Sequence, residues 1–248
     1  MPSERIDVPT RDGTADAYLA GPDRAPGRGV LLLIDAWGLR PQIEAMADRI
    51  AGRGYTVLAP NLFYRGGRAP VVPMPDLTSE DSRAAAFEQL RPLMAALTPE
   101  NIIADGAAYL QAVGEHSAPG PIGVTGYCLG ARLGMRLAAA YPDRVAALGG
   151  FHGGGLVTDE PDSPHRAAER IRAEVFFGHA DGDRSNTPEQ IAALDAALDA
   201  AGVRHRSEVY PGAGHGYTMA DTPAYDEAAA ERHFEDLFTL FGHALPRA

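Results

Sequence analysis

The feature that most constrains the fold is a strand, a sharp turn and a helix that follow one another between Pro121 and Tyr141. An apolar, β-rich run from Ile122 to Thr125 meets the pentapeptide Gly-Tyr-Cys-Leu-Gly, and an Ala/Leu/Arg helix pattern begins at once. In a G-x-S-x-G elbow the nucleophile lies on a strained turn, and the flanking glycines tolerate the crowding. Cys128 therefore stands either at the position of a nucleophile or as a buried structural thiol, since free cysteine is often buried.

Candidate strands alternate with helical patterns along the chain, and no internal repeat is visible. Strand-like runs around 5–8 and 15–20 flank a turn-prone Arg-Asp-Gly and predict an antiparallel hairpin. The run 29–34, GVLLLI, is typical of a central parallel strand buried on both faces. The pattern predicts a single α/β domain over 1–248 with a mostly parallel sheet and helices on both faces. Residues 1–28 would form the hairpin and a connector, and residues 29–242 the core.

Local signals set the expected helix boundaries. Helices are predicted over 41–53, 80–91, 99–116 and 224–241. Gly54 is expected to cap the first of these, and Thr98 followed by Pro99 to begin the third. A capping-box pattern at Thr187 predicts a further helix start. Two polar segments, 60–79 and 161–168, are expected to be loops.

Composition excludes several classes of function. The chain has 33 acidic and 22 basic residues and a net charge of −11, which argues against nucleic acid or an anionic membrane as partner. No run approaches the roughly 18 to 20 apolar residues of a membrane span. The start of the chain lacks the apolar segment of a signal peptide, and a single cysteine fits a reducing compartment. We expect a cytoplasmic monomer or homodimer that acts on a small molecule without a metal or other cofactor.

Polar side chains that could take part in catalysis follow several of the predicted strands. They are Asp35, Cys128, His215, and one of Asp181 and Asp183. Because active residues of open α/β sheets gather at the carboxyl ends of strands, we expect these side chains to lie together. The chain order nucleophile, acid, histidine is that of the triad in hydrolases with a G-x-S-x-G elbow.

His215 is the candidate base for the thiol. A cysteine attacks only as thiolate, so it needs a base or a cation beside it. His215 lies among three glycines that would let the imidazole reach across the strand ends. A carboxylate on its far nitrogen would fix the tautomer. Asp181 is favoured for this role because it follows its strand by a short, tight loop, whereas Asp183 could cap the next segment or be solvated.

Main-chain groups are the candidates for stabilising a tetrahedral intermediate. The N–H of Leu129, directly after the nucleophile, would supply one donor of an oxyanion hole, and the N–H of Ala36 the other. Trp37, in the same loop as Ala36, is predicted either to wall the acyl pocket or simply to pack.

Four segments together resemble the dienelactone hydrolase family of α/β-hydrolases. They are Gly126-Tyr127-Cys128-Leu129-Gly130, Gly178-His179-Ala180-Asp181, the segment from Gly212 to Tyr217, and the stretch from Gly54 to Leu62. The resemblance runs from about Gly29 to Phe241. It implies a single-domain α/β-hydrolase fold with Cys128 as nucleophile, His215 as base and Asp181 as the residue that orients it.

The resemblance also implies roles around the triad. Family members carry a Glu after the early strand that holds the resting thiol and helps to deprotonate it, and the matching residue here is the shorter Asp35. Arg83 falls near one of the arginines that bind a substrate carboxylate in the family, but Met219 stands in place of the other. His152 falls where the family often presents an aromatic hydroxyl near the pocket, so it is expected either to contact substrate or to have a structural role. Tyr127 is predicted to contact substrate.

Three functions are compatible with these residues. The leading hypothesis is a hydrolase of activated esters or lactones that works through a thioester. A glutamine amidotransferase also places a cysteine in an elbow, but it needs an acid two residues after the histidine, where this chain has Tyr217. The third is a non-catalytic or redox-sensing ligand-binding relative of the same fold, in which the thiol carries out no turnover.

Overall fold

Eight strands join in one sheet in the order β1-β2-β4-β3-β5-β6-β7-β8. The structure, a computed structural model, describes residues 3–22 and 25–245; residues 23 and 24 of the predicted connector lie outside the described residues, as do both chain ends. The strands are β1 (Glu4–Thr10), β2 (Gly13–Ala20), β3 (Arg28–Leu33), β4 (Thr56–Pro60), β5 (Ala118–Tyr127), β6 (Val145–Phe151), β7 (Glu174–Ala180) and β8 (His205–Tyr210).

The sheet is parallel from β4 through β8 and antiparallel only at the N-terminal hairpin. In the hairpin Thr10 pairs with Gly13 around the Arg-Asp turn, which confirms the prediction. The side chains of Val30 to Leu33 in β3 have no exposed surface, as expected for a central strand covered on both faces. The predicted α/β fold with a mostly parallel sheet is confirmed.

Six α-helices accompany the sheet within the described residues. They are α1 (Pro41–Ala51), α2 (Glu80–Ala95), α3 (Pro99–His116), α4 (Leu129–Ala140), α5 (Pro188–Ala200) and α6 (Glu227–Ala244). Short 3-10 helices occupy Tyr64–Gly66, inside the predicted loop 60–79, and Pro164–Arg170, which begins inside the predicted loop 161–168 and ends beyond it. The predicted helix starts at Thr98 and Thr187 are confirmed, since Thr98 accepts from the N–H of Asn101 and Thr187 forms a full capping box with Gln190.

Four predicted helix ends were wrong. Helix α6 runs from Glu227 to Ala244 rather than over 224–241. Helix α1 stops at Ala51 rather than at residue 53, and Gly54, with φ +96°, lies in the turn that follows. Helix α2 continues past Arg91 to Ala95 with Pro92 inside it. Proline removes only its own N–H from the helix, and the N–H of Ala96 still bonds to the Pro92 carbonyl at 3.1 Å.

Helices cover both faces of β5. A side chain at Gly123 would meet Phe241 of α6, whereas the adjacent Val124 faces Gly134 of α4. Since neighbouring residues of a strand point to opposite faces, α4 and α6 lie on opposite sides of the sheet. The strand order also reverses at β3, which pairs with β4 on one side and β5 on the other. Ligands of open α/β sheets bind beyond the carboxyl ends of the strands at such a point.

We find no helix among the described residues that is long and apolar enough to span a membrane.

Candidate active site

Cys128 occupies a strained turn between β5 and α4. Its backbone has φ 54° and ψ −115°, a conformation that costs a non-glycine residue about 1 to 3 kcal/mol. The neighbouring glycines are required by close packing. A Cβ on Gly126 would lie 2.2 Å from the Gly130 carbonyl oxygen, and one on Gly130 would lie 2.4 Å from the Leu33 carbonyl oxygen. The segment therefore has the geometry of a nucleophile elbow, and the thiol is partly exposed rather than sealed in the core.

The carboxylate in contact with His215 belongs to Asp183. Nδ1 of His215 lies 2.6 Å from Oδ2 of Asp183, whose side chain is only 6% exposed. The other oxygen, Oδ1, accepts from the hydroxyl of Ser185 at 2.7 Å and from its N–H at 2.8 Å. The prediction that Asp181 orients the histidine is wrong. Asp181 is exposed, and its carboxylate accepts instead from the N–H of Gly212 at 2.8 Å.

The surroundings of His215 favour its protonated form. Burial lowers the pKa of His215, but its hydrogen bond to Asp183 and its interaction with Cys128 outweigh burial and raise the pKa from 6.5 to about 10. Burial also raises the pKa of the Asp183 carboxyl, but its bonds to His215 and Ser185 outweigh burial and lower the pKa below its ordinary value. The pair is therefore an imidazolium and a carboxylate at neutral pH, with the imidazolium next to the thiol.

A pocket of about 500 Å³ opens beyond the carboxyl ends of β3, β5 and β6 and reaches both Cys128 and His215. Its wall includes Asp35, Ala36, Trp37, Arg83, Phe87, Leu129, Arg132, His152, Ser185 and Met219. The two residues predicted to supply oxyanion N–H groups, Ala36 and Leu129, thus line the same pocket as Cys128. The described residues contain no group of His, Cys, Asp and Glu side chains suited to hold a metal ion.

Asp35 is bound to an arginine instead of the thiol. Its two carboxylate oxygens lie 2.6 and 3.1 Å from the guanidinium nitrogens of Arg40, and Oδ1 also accepts from the N–H of Trp37. Arg40 is 5% exposed and holds Asp221 on its other side, at 2.7 and 3.0 Å. The expectation that Asp35 holds the resting thiol is therefore not met. The short side chain reaches Arg40 and ties the loop of Ala36 to the loop that follows His215.

Among the other predicted substrate contacts, Trp37 and Arg83 line the pocket and Tyr127 does not. Trp37 lines the pocket and packs against Phe87 of α2 at 5.0 Å between ring centroids, while Arg83 lies one helical turn earlier. Tyr127 is a correction, because it has no exposed surface and its hydroxyl lies 3.2 Å from Nε2 of buried His233. Side chains alternate along β5, so Tyr127 points into the layer beneath α6 while the chain continues to the thiol.

Two residues of the site were not predicted from the sequence. Arg132 lines the pocket from α4, four residues after Cys128 and thus one turn along the same helix face, a spacing that could have revealed it. Ser185 anchors Asp183 and lies 3.4 Å from Nδ1 of His215, but only the fold of its loop brings it there. Within 3–22 and 25–245, the guanidinium groups of Arg83 and Arg132 have no hydrogen-bond or ion-pair partner.

Comparison with known proteins places this geometry in a family. The family model described as "Dienelactone hydrolase family" matches residues 15–245. The chain belongs to the dienelactone hydrolase family. Two relatives that carry the name "Putative carboxymethylenebutenolidase" are both 26% identical to the chain. The one from Salmonella typhi matches 94% of this chain and 84% of its own, and that from Methylorubrum extorquens 96% and 81%.

Solved structures of dienelactone hydrolases share the fold. The crystal structure named "Putative Dienelactone Hydrolase" from Klebsiella pneumoniae subsp. pneumoniae superposes with a TM-score of 0.84 at 22% identity, covering 97% of this chain and 98% of that one. A dienelactone hydrolase from Anabaena variabilis gives a TM-score of 0.64 at 18% identity, with 98% of each chain covered. The protein therefore belongs to a family of hydrolases and has the α/β-hydrolase fold.

Proposed function

We propose that the protein hydrolyses activated carboxylic esters or lactones through a triad of Cys128, His215 and Asp183 and a thioester acyl-enzyme. The observation that carries the proposal is the continuous contact from Asp183 to His215 to Cys128, with the thiol on a strained turn in the pocket. A protonated imidazole beside a cysteine favours the thiolate, which is the nucleophilic form. This arrangement supports activation of the thiol by His215 and leaves no such task for Asp35.

In the first half-reaction the Cys128 sulfur attacks the substrate carbonyl carbon and the carbonyl electron pair moves onto oxygen. The N–H groups of Ala36 and Leu129 would stabilise that oxyanion. When the intermediate collapses, the bond from carbon to the leaving oxygen breaks and His215 donates its proton to that oxygen. In the second half, His215 takes a proton from water, the hydroxide attacks the thioester, and the bond from carbon to sulfur breaks to release the acid.

The leaving group decides which substrates turn over. A thiolate leaves a tetrahedral intermediate more readily than most alkoxides or amines. Enol lactones and aryl esters, whose leaving oxygens are stabilised anions, are therefore the expected substrates, and amides should hardly react.

The charge of the pocket favours substrates that carry an anionic substituent. Arg83 and Arg132 line the pocket without partners, and the one carboxylate in its wall, Asp35, is paired with Arg40. Arg83 is exposed and Arg132 is half-buried. A guanidinium that lacks an ion pair binds a carboxylate well, often through two parallel hydrogen bonds. The apolar remainder of the wall, including Trp37 and Phe87, would hold a small unsaturated or aromatic group.

A ligand-binding relative without turnover is the second candidate. The observation in its favour is that Asp35, which occupies the place of the family's thiol-activating carboxylate, is bonded to Arg40. In that case the pocket would still bind an anionic ligand, but the thiol would not form an acyl intermediate.

The deciding experiment compares wild type with Cys128→Ala on an aryl ester and on an unsaturated lactone, each with and without a carboxylate. Cys128→Ser serves as a matched control that keeps a hydroxyl nucleophile, and thermal unfolding checks that all three proteins fold alike. We expect turnover in the wild type, loss of at least 1,000-fold in Cys128→Ala, and a mass increase equal to the acyl group on Cys128 after rapid acid quench. Absence of turnover, or equal activity in Cys128→Ala, would reject the triad and favour the ligand-binding relative.

A further inference from the structure

His152 is a buried imidazole beside His215 whose two ring nitrogens have different surroundings. Its ring lies 5.3 Å from that of His215, edge to face, and only 1% of the residue is exposed. Nε2 lies 2.7 Å from the hydroxyl oxygen of Thr218. Nδ1 is buried and has no hydrogen-bond partner within the described part of the chain. A buried polar atom without a partner costs about 1 to 3 kcal/mol, so each one in a folded protein calls for an explanation, such as a catalytic role or a bound water.

The backbone at His152 is also unusual. Its φ is +38°, and it shares a positive φ with Cys128 alone among the described non-glycine residues. Its N–H donates to the carbonyl of Gly178 at 2.8 Å, which holds the turn in place after β6. Strained residues cluster at sites of function because the surrounding structure must hold them there. The strain and the unpartnered nitrogen thus occur in the same residue of the pocket wall.

His152 is neutral, which restricts what its nitrogens can do. Burial lowers the pKa of His152 well below 6.5, and the charge of His215 lowers it further. A neutral imidazole carries one N–H donor and one acceptor nitrogen. Either Nδ1 or Nε2 of His152 therefore bears the single proton of the ring.

Thr218 decides the position of that proton. The Thr218 hydroxyl is 2% exposed, and within 3–22 and 25–245 it has no acceptor other than Nε2 of His152. If the hydroxyl donates to Nε2, only the Nδ1–H group is left without a partner. If Nε2 carried the proton instead, both the hydroxyl hydrogen and the Nδ1 lone pair would be unsatisfied. The first arrangement leaves fewer buried groups unpaired, so the proton resides on Nδ1.

We propose that the Nδ1–H group of His152 donates a hydrogen bond to the leaving oxygen of the substrate and helps that oxygen to depart. The inference rests on the proposed hydrolysis, in which His215 protonates the leaving oxygen and therefore lies next to it. His152 packs against His215 and lines the same pocket, whereas Thr218 is outside the pocket wall. The substrate class that gains most has a poor leaving group, such as an alkyl ester, because more negative charge develops on its oxygen in the transition state.

Leaving-group dependence separates this role from a structural one. The experiment measures kcat/KM for a series of acetate esters, from p-nitrophenyl through phenyl to an alkyl acetate, in five proteins: wild type, His152→Leu, His152→Asn, Thr218→Val and Thr218→Ser. Asparagine places an amide N–H where Nδ1 lies and tolerates a positive φ. Thr218→Val removes the hydroxyl that keeps the proton on Nδ1, while Thr218→Ser retains it.

We expect His152→Leu and Thr218→Val to lose about five- to tenfold more rate on the alkyl ester than on the p-nitrophenyl ester. The plot of log kcat/KM against leaving-group pKa then becomes steeper, and His152→Asn and Thr218→Ser return toward the wild-type slope. If the slope of this plot for Thr218→Val equals that of the wild type, the inference is wrong, even if kcat/KM falls by the same factor on every ester. If His152→Leu does not fold, the comparison of the slopes of Thr218→Val and Thr218→Ser decides the test. If the wild type turns over no ester, the proposed function itself is rejected. Turnover by the wild type with an unchanged slope in Thr218→Val rejects only this inference.

Discussion

Nδ1 of His215 lies 2.6 Å from Oδ2 of Asp183, and this contact joins the loop after β7 to the loop after β8. Asp183 is held from behind by the hydroxyl and N–H of Ser185. Both bonds converge on Oδ1, so Oδ2 is left for the histidine. The carboxylate that orients His215 is therefore itself fixed in place before substrate arrives.

The first prediction distinguishes the two aspartates of this loop. Asp183→Asn should lower kcat/KM by about 1,000- to 10,000-fold, because an amide in that place favours the wrong imidazole tautomer. Asp181→Asn is the matched control, since Asp181 is exposed and, among the described residues, its carboxylate bonds only to the Gly212 N–H. It should change kcat/KM by less than about fivefold. Steady-state kinetics on an aryl ester measures both, and the reverse order of effects would restore Asp181 as the triad acid.

The second prediction concerns the pH dependence of folding stability. The folded-state pKa of His215 is raised from 6.5 to about 10, so its contribution is fully present below pH 6.5 and is lost as the pH rises through 10. We expect the free energy of unfolding, measured by urea titration, to fall between pH 6.5 and 10 by more in wild type than in His215→Asn. Asp183→Asn should also flatten the profile, because it removes a main cause of the shift. Parallel profiles for wild type and His215→Asn would contradict a raised pKa.

The third prediction concerns the buried pair of Asp35 and Arg40. Arg40→Met leaves the Asp35 carboxylate buried without its cation, which should destabilise the protein by about 3 to 5 kcal/mol. Burial already raises the pKa of Asp35 and Arg40 opposes that shift, so in the variant the loss should be larger at pH 8 than at pH 5.

A double variant isolates the charge. Asp35→Asn combined with Arg40→Met should recover at least half of the lost stability, because no fully buried charge is left unpaired; Asp221 also loses Arg40, but its side chain is 32% exposed to solvent. Denaturant unfolding of the wild type, both single variants and the double variant completes the cycle. Additive losses would mean that the two side chains act independently.

The fourth prediction tests the charge of the pocket. Arg132→Gln should lower kcat/KM about 10- to 100-fold for an aryl ester that bears a carboxylate, because a hydrogen bond to a charged group is worth about 1.5 to 3 kcal/mol. For the neutral ester of the same shape the change should stay within about threefold. Arg136→Gln is the control, since Arg136 lies one turn further on α4 and pairs with Asp162 outside the pocket. Equal losses on both esters would indicate that Arg132 only supports the fold.

Local patterns in the chain were enough to predict much of the fold. The hairpin, the apolar strand before Asp35 and the caps at Thr98 and Thr187 depend on neighbouring residues and on short-range hydrogen bonds. The elbow at Cys128 is local as well, because a strand, two glycines and a helix start are contiguous. Such features are readable without a structure, since the groups that make them lie within a few residues of one another.

Which side chains distant in sequence bond to each other was decided only by the tertiary structure. Asp181 and Asp183 both follow β7, and which of them meets His215 depends on the path of the loop and on Ser185. Asp35 could be expected near the thiol, but Arg40 engages it, and Asp221, 181 residues from Arg40 in sequence, binds the other side of that guanidinium.

The chain by itself therefore determined the sheet, the elbow and the types of residue gathered at its edge. The tertiary structure decided which pairs are bonded, that Tyr127 turns into the core, and that Arg132 and the Nδ1 of His152 are left without partners among the described residues. The physical reason is that propensity and burial act on each segment separately. Hydrogen bonds and ion pairs instead require an ångström-scale match between groups that only the folded chain brings together.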